Sequence, residues 1–311
     1  MKFTHTILGR CIKVLLLATV LAFPLVIEAA ELENWDVRIE SGYIPSADVG
    51  KSVPVGEAEE IFARIALSLP IPLSDSSHLR VKISGEQAFF DWVESDNIAF
   101  SNGRDPWDNL YSSDIGLRYL HKWNRSWSTF LGGGLGAAWE EEMDDSYSYS
   151  GNMGAMYRSS PSLIWTFGVA FTKGPEDSRA FPILGLAWNQ SRPGESGEYQ
   201  SGWSVSLGIP RTEIRYSVNR MWDFYCNMGM HRGTYRLAED SEVSPSGLVE
   251  MERYESGLFV DIRPAKQLTL CIGMVYHFGR EWEIQDAGGN EIQEVDIDDA
   301  VGLKFALRWI F

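Results

Sequence analysis

Val301-Gly302-Leu303-Lys304-Phe305-Ala306-Leu307-Arg308-Trp309-Ile310-Phe311 alternates in polarity along its whole length. Val301, Leu303, Phe305, Leu307, Trp309 and Phe311 share one face of a period-two strand. Gly302, Lys304, Ala306 and Arg308 share the other, with Ile310 the single apolar residue among them. An unbroken apolar face backed by small and cationic groups suits a wall with lipid on one side and an enclosed interior on the other.

The rest of the chain of 311 residues agrees with that reading. Beyond residue 30 no apolar run is long enough for a membrane helix, yet 44% of residues are apolar and 13% aromatic. Lipid cannot satisfy an unpaired backbone group, so a membrane chain without spanning helices is left with a closed barrel. Residues 1–30 read as a cleaved secretory signal. Lys2, Arg10 and Lys13 precede an apolar run over residues 14–27, and Ala29 and Ala30 offer small residues for cleavage. Residues 31–311 then form the barrel. Without that segment 24 basic residues face 42 acidic ones, a formal charge of −18. So acidic a chain argues against nucleic acid and against docking on anionic head groups.

Alternation repeats from Trp35 onward, and the pattern predicts an all-β, transmembrane, antiparallel up-and-down barrel of about fourteen strands. Twelve is the alternative, because the sixth strand (residues 147–157) and the eighth (residues 184–188) are weakly patterned. Pro70 and Pro72 are expected to close a turn, a second tight turn is expected at residues 264–266, and a bulge is expected near Gly233, where Tyr235 and Leu237 take over the apolar phase. Residues 281–299 hold eight acids and no base and read as a loop. An even strand count puts both ends on the periplasmic side, with the short turns inside and most longer acidic loops outside. The linker at residues 191–201 is the exception, long on the inner side. In this threading Trp35, Trp123, Trp127, Trp188, Trp203, Trp222 and Trp309 gather near the inner rim, and Trp92, Trp107, Trp139 and Trp282 near the outer, as two aromatic girdles. Cys226 and Cys271 fall on opposite faces of non-adjacent strands, so no disulfide is expected.

Two resemblances go further. Gly302, Phe305, Leu307, Trp309 and Phe311 resemble the C-terminal strand signal of bacterial outer-membrane barrels, which implies recognition by the barrel-assembly machinery. Leu207-Gly208-Ile209-Pro210-Arg211-Thr212, with Tyr216, Phe224-Tyr225 and Gly233-Thr234-Tyr235-Arg236, resembles an uncharacterised family of predicted outer-membrane barrels, catalogued as a domain of unknown function. That resemblance spans roughly residues 203–236 and implies a fold and a location, the outer membrane of a two-membrane bacterium, with no activity attached.

Catalytic signals are poor. Ser101-Asn102-Gly103 looks like the tail of the His-x-Ser-Asn-Gly motif of surface phospholipases, but the place of the histidine is held by Ala99. A serine without an imidazole beside it is a weak nucleophile, so an outer-membrane hydrolase is disfavoured and no catalytic residue is assigned. Asp144-Asp145 and Asp298-Asp299 read as solvated loop tips, with weak divalent bridging to lipopolysaccharide the alternative; no metal site or cofactor is expected. The informative polar set is the one that alternation turns inward: Arg38, Arg64, Arg80, Lys82, Arg118, Arg215, Lys304 and Arg308, with Glu40, Asp114, Glu213 and Asp261 as fewer partners. Cations lining a water-filled barrel would favour anionic solutes, which makes a passive channel or small-solute transporter the leading expectation. The rival is a non-conducting structural or adhesive surface protein whose acidic extracellular loops are the working part; for the inward set itself the alternative is an ion-pair lattice that fills the barrel. Lipid and lipopolysaccharide are the expected surroundings, and the oligomeric state is left open.

Overall fold

A computed structural model describes residues 35–50, 56–94, 104–190 and 201–311. All regular elements among them are strands: β1 (Asp36–Asp48), β2 (Glu57–Ser74), β3 (Ser77–Val93), β4 (Asn109–Lys122), β5 (Trp127–Trp139), β6 (Tyr147–Ser160), β7 (Leu163–Lys173), β8 (Ser178–Asn189), β9 (Gly202–Gly208), β10 (Arg211–Ser217), β11 (Trp222–Arg236), β12 (Leu248–Ala265), β13 (Leu268–Gln285), β14 (Glu291–Ile297) and β15 (Ala300–Ile310). Consecutive strands pair antiparallel from β1 to β13, β13 pairs with β15, and β15 pairs with β1. The ladder therefore closes, and fourteen strands make the barrel. β14 runs in line with β15 along the upper part of β13, and its last residue, Ile297, bridges Val49 just beyond β1, so the two share one place in the ring.

Closure is made by the terminal strand. Residues 303–310 of β15 register against β1 from Tyr43 to Asp36, and Phe311 N donates to the Trp35 carbonyl at 2.9 Å. The Trp35 and Phe311 rings stack with centroids 3.7 Å apart, marking one end of the barrel, the one that the even strand count is expected to turn inward. Val301, Leu303, Phe305 and Trp309 point outward and are exposed, as are Leu131, Leu135, Phe167, Phe171, Leu258 and Ile272 around the wall. This is an outer band of apolar side chains with no protein over it, the surface a bilayer would cover.

The prolines sit differently from the expectation. Pro70 and Pro72 lie inside β2, opposite Arg80 and His78, and the turn is at residues 75–76. They are tolerated because β2 runs beyond Ser68, its last partner in β1, so one edge has no ladder to supply. The other proline turn lies close to its expected place: β12 ends at Ala265 and β13 begins at Leu268. The expected bulge near Gly233 is absent. β11 and β12 keep one unbroken register from Trp222↔Ile262 to Arg236↔Leu248, so Tyr235 stays on the interior face.

A slip occurs instead in β13. Glu252 and Tyr254 of β12 register with Glu281 and Phe278, so Gly279 and Arg280 together face Arg253 and β13 carries one extra residue. Gly279 has φ +55, in the left-handed region, and a Cβ there would lie 3.1 Å from the Tyr254 ring. Gly279→Ala is expected to lower stability by about 1–2 kcal/mol through the left-handed backbone alone, read as a shifted unfolding midpoint in urea.

The bulge turns Arg280, Trp282 and Ile284 inward. Residues 281–299, expected as a loop, are largely the end of β13 and β14, folded back as a hairpin. Trp92, Trp107 and Trp282 do lie at the outer end, but they face the interior. With Phe90 they form a buried cluster, Trp92 and Trp107 with centroids 5.4 Å apart and Trp282 5.5 Å from each. Ile44, Phe62, Leu110, Tyr235, Val249 and Ile284 extend that core. Trp139 alone of the four stacks on the outer face, against Tyr111.

β9 and β10 are only seven residues long. Above their tip, residues 178–183 of β8 and 230–235 of β11 lack a neighbour on that side. β11 leans across the mouth instead, and Arg236 makes a parallel bridge to Trp139 of β5. The upper sheet of β11 to β14 thus roofs the aromatic core. Cys226 and Cys271 lie on opposite faces, each thiol free.

Candidate functional site

Cross-strand partners share a face, so the register fixes which charges meet inside. Of the eight cations read as inward-facing, five have carboxylate partners. Arg38 and Lys304 reach the two oxygens of Glu40 at 2.8 and 2.7 Å, and Arg308 pairs with Asp36 at 3.1 Å. Arg64 lies 4.0 Å from Glu86 and donates to the Ser84 hydroxyl at 3.4 Å. Arg215 is the most heavily engaged. It pairs with Glu213 at 2.9 Å, Asp223 at 3.0 Å and Asp261 at 2.5 Å, and its guanidinium lies 3.9 Å over the Tyr225 ring.

Carboxylates that alternation did not single out supply much of this neutralisation. Asp223 also holds Arg263, and Arg253 is clamped by Glu60 at 2.6 Å and Glu255 at 3.2 Å. Glu60, on β2, and Arg253, on β12, come from strands remote in sequence that the closed ring brings across from each other. The buried Tyr225 hydroxyl and the Cys271 thiol lie 3.1 Å apart beside this lattice.

The other three cations, Arg80, Lys82 and Arg118, form no ion pair with a described residue. Arg80 and Arg118 are direct cross-strand partners on β3 and β4. The Arg118 guanidinium lies 4.9 Å from the centre of the Phe130 ring. Phe130 is buried because Gly154 and Gly168 leave room for it: a Cβ at Gly154 would come within 2.6 Å of its ring. From β5 to β9 the interior face is made mostly of small side chains, among them Gly132, Gly134, Gly136, Gly185, Ser204 and Ser206. One half of the barrel is thus filled by ion pairs and rings. The other half is walled by small residues, with the three unpaired cations at its edge.

A pocket at each end differs in charge from the other. At the outer end a cleft of 790 Å³ is lined by Asp105, Asp108, Glu140, Glu141, Asp240 and Glu242, with Trp107, Tyr111 and Trp139 and no basic residue. Burial pushes the Glu140 carboxyl above the ordinary carboxylate range, and Glu141, Asp240 and Asp108 push it the same way, although the Ala238 N–H donated to it opposes them. At the inner end a pocket of 590 Å³ is lined by Lys122, Arg125 and Arg158 with serine hydroxyls and no acid. The aromatic closure at the outer end and this inner pocket were both missed by alternation. Trp92 does share a parity with Arg80 and Lys82, a signal that was there to be read.

Among the described residues no group of three or more His, Cys, Asp or Glu converges as a metal site. Ser101-Asn102-Gly103 lies outside the described residues, as does most of the 191–201 linker.

A family model described as Domain of unknown function (DUF6268) matches residues 29–307. No curated protein matches the sequence. Among solved structures the chain is similar to the COG4313 outer membrane channel from Pseudomonas putida F1, at 8% identity and TM-score 0.49, over 90% of this chain and 96% of that one. It is also similar to OprB of Pseudomonas putida, at 9% identity and TM-score 0.42 (89% and 93% covered), and to the NanC porin, at 10% identity and TM-score 0.36 (88% and 98% covered).

Proposed function

We propose, from the premise that this chain belongs to the DUF6268 family, that it sits in the outer membrane of a two-membrane bacterium and acts there as a passive channel for small anionic solutes. The apolar outer band supports the location. The resemblance of Gly302, Phe305, Leu307, Trp309 and Phe311 to an assembly signal supports insertion by the barrel-assembly machinery. The observation that carries the channel reading is the set of Arg80, Lys82 and Arg118, which form no ion pair with a described residue and stand beside a wall of small side chains. An unpaired charge in a narrow aqueous passage sets ion selectivity, whereas a charge held between carboxylates is spent on the lattice. Arg38, Arg64, Arg215, Lys304 and Arg308 therefore act as structural members rather than as selectivity residues. No step of covalent chemistry is assigned.

Refolded protein in a planar bilayer tests this. Discrete conductance steps with a reversal potential on the anion side are expected, and Arg118→Ala should move that potential toward the cation side. The shift should be largest at or below 0.1 M salt, where the Debye length is about 10 Å. Silence of the wild type would sink the channel.

A second reading rests on the cluster of Phe90, Trp92, Trp107 and Trp282, which closes part of the outer end. Under it the barrel does not conduct and its acidic outer loops are the working surface. Trp92→Ala separates the two. It should open or enlarge the conductance of a partly closed channel and leave a filled barrel silent.

A further inference from the structure

The inner pocket is built by two neighbouring turns, the one joining β4 to β5 and the one joining β6 to β7. Lys122 and Arg158 reach it from the interior faces of β4 and β6, and Arg125 from the first turn. None of the three forms an ion pair with a described residue. The loop backbone is satisfied without them: Asn124 Oδ1 accepts the N–H groups of Ser126 and Trp127, each at 2.9 Å, and Arg158 N donates to the Ser126 carbonyl. The cations are therefore not needed to hold the turns together.

The floor between them is apolar. Leu120, Met156 and Ile164 occupy interior positions on β4, β6 and β7, with Ser128 and Phe130 of β5 between the first two. Leu120 lies between Arg118 and Lys122 on the interior face of β4, so the two charges are about 13 Å apart along the strand. Beside Leu120 stands its cross-strand partner Phe130, whose ring lies beneath Arg118. Charged heads thus alternate with apolar surface from the pocket upward. A simple inorganic ion would use the heads and leave that surface wet, whereas a planar organic anion would cover it. The volume of 590 Å³ is that of a small-molecule site.

We propose that this pocket binds organic anions with an apolar, aromatic-sized body, and that Lys122 and Arg158 hold the anionic group. The inference deepens the channel reading, on which it rests for its purpose, by naming the class of solute and its inner station.

The test measures binding without current. Wild-type protein in zwitterionic-lipid nanodiscs is titrated calorimetrically with 2-naphthoate, with inorganic phosphate, and with the neutral 2-naphthylmethanol, against empty nanodiscs. Saturable 2-naphthoate binding is expected, at least about tenfold tighter than either control, as the loss of a charge-assisted hydrogen bond would give. Lys122→Gln with Arg158→Gln should weaken it about tenfold or more, and Lys122→Arg with Arg158→Lys should retain it. Heat-modifiable mobility on gels reports that each variant is folded. Phosphate binding as tightly as 2-naphthoate would overturn the proposal, as would unchanged affinity in the glutamine variant. Conductance of the same samples keeps the two claims apart. Binding in a silent barrel defeats the channel and leaves the site, whereas conduction without binding defeats the site alone.

Discussion

Phe305→Arg is expected to destabilise the inserted barrel by about 2–4 kcal/mol, the cost of an arginine on the lipid face near the bilayer midplane. Phe305 lies near the middle of β15, opposite Ser41 of β1 and Ile272 of β13, and points outward with 49% of its surface exposed. The same substitution one residue along, Ala306→Arg, points inward, where its neighbour Glu40 already receives Lys304. It should therefore disturb packing beside Cys271 without the lipid penalty. The pair is read as urea unfolding midpoints in lipid bilayers, with Phe305→Leu as the volume control. Because β15 closes the ring, a loss there is also expected to lower the yield of folded, heat-modifiable protein.

The second large effect lies inside. Asp223 is buried and takes both Arg215 and Arg263, while Arg215 also engages Glu213 and Asp261. Removing one partner of a buried pair leaves an uncompensated charge, which costs about 3–5 kcal/mol. Asp223→Ala is expected to fall in that range, and Asp223→Asn to recover part of it by accepting one guanidinium hydrogen bond. Replacing Arg308, whose pair with Asp36 is half-exposed, should change stability by no more than about 1 kcal/mol. A double-mutant cycle on Asp223 and Arg263 would measure the coupling directly. A coupling near zero would mean that the lattice does not hold β10, β11 and β12 together.

Where lipid lies on one side of a strand, the sequence is easy to read. Leu131, Leu135, Phe167, Phe171, Leu258 and Phe305 must be apolar because hydrocarbon meets them, and their neighbours need not be. All fourteen barrel strands show some of this contrast, the weakly patterned sixth and eighth included. Beyond the bilayer it fails, because both faces of an extended strand then meet protein or water. Residues 248–257 of β12 and 281–285 of β13 mix Glu250, Glu252, Arg253, Glu281 and Glu283 with Val249 and Ile284, and so they resemble loop.

Tryptophans tell a similar story: position along a strand sets height, but facing depends on parity. Parity was readable for Trp92. For Trp282 it was not, because Gly279 inserts a residue below it and reverses every later side chain in β13. The change of phase credited to Gly233 came from a different cause. Tyr235 and Leu237 are apolar because the interior itself turns apolar at that height.

The interior chemistry was legible as a set of cations and not as a network. Alternation puts Arg64 and Arg80 on one face with equal force. What separates them is that Glu86 stands beside Arg64, while Arg80 faces Arg118. That distinction depends on register across strands, and pairs such as Glu60 with Arg253 depend on closure of the whole ring. Lys122 and Arg158 carry no signal of their own in the alternation. They matter because two turns far apart in sequence meet at one mouth.

The central claim is that alternate side chains of one wall meet hydrocarbon and an enclosed interior. A fluorophore placed singly at cysteines substituted along residues 301–308 of β15, in a background without Cys226 and Cys271, and quenched by brominated lipid chains, tests it most directly. Strong quenching at 301, 303, 305 and 307 with weak quenching at 302, 304, 306 and 308 is the predicted result. Uniform quenching, or none at any of the eight positions, would contradict it.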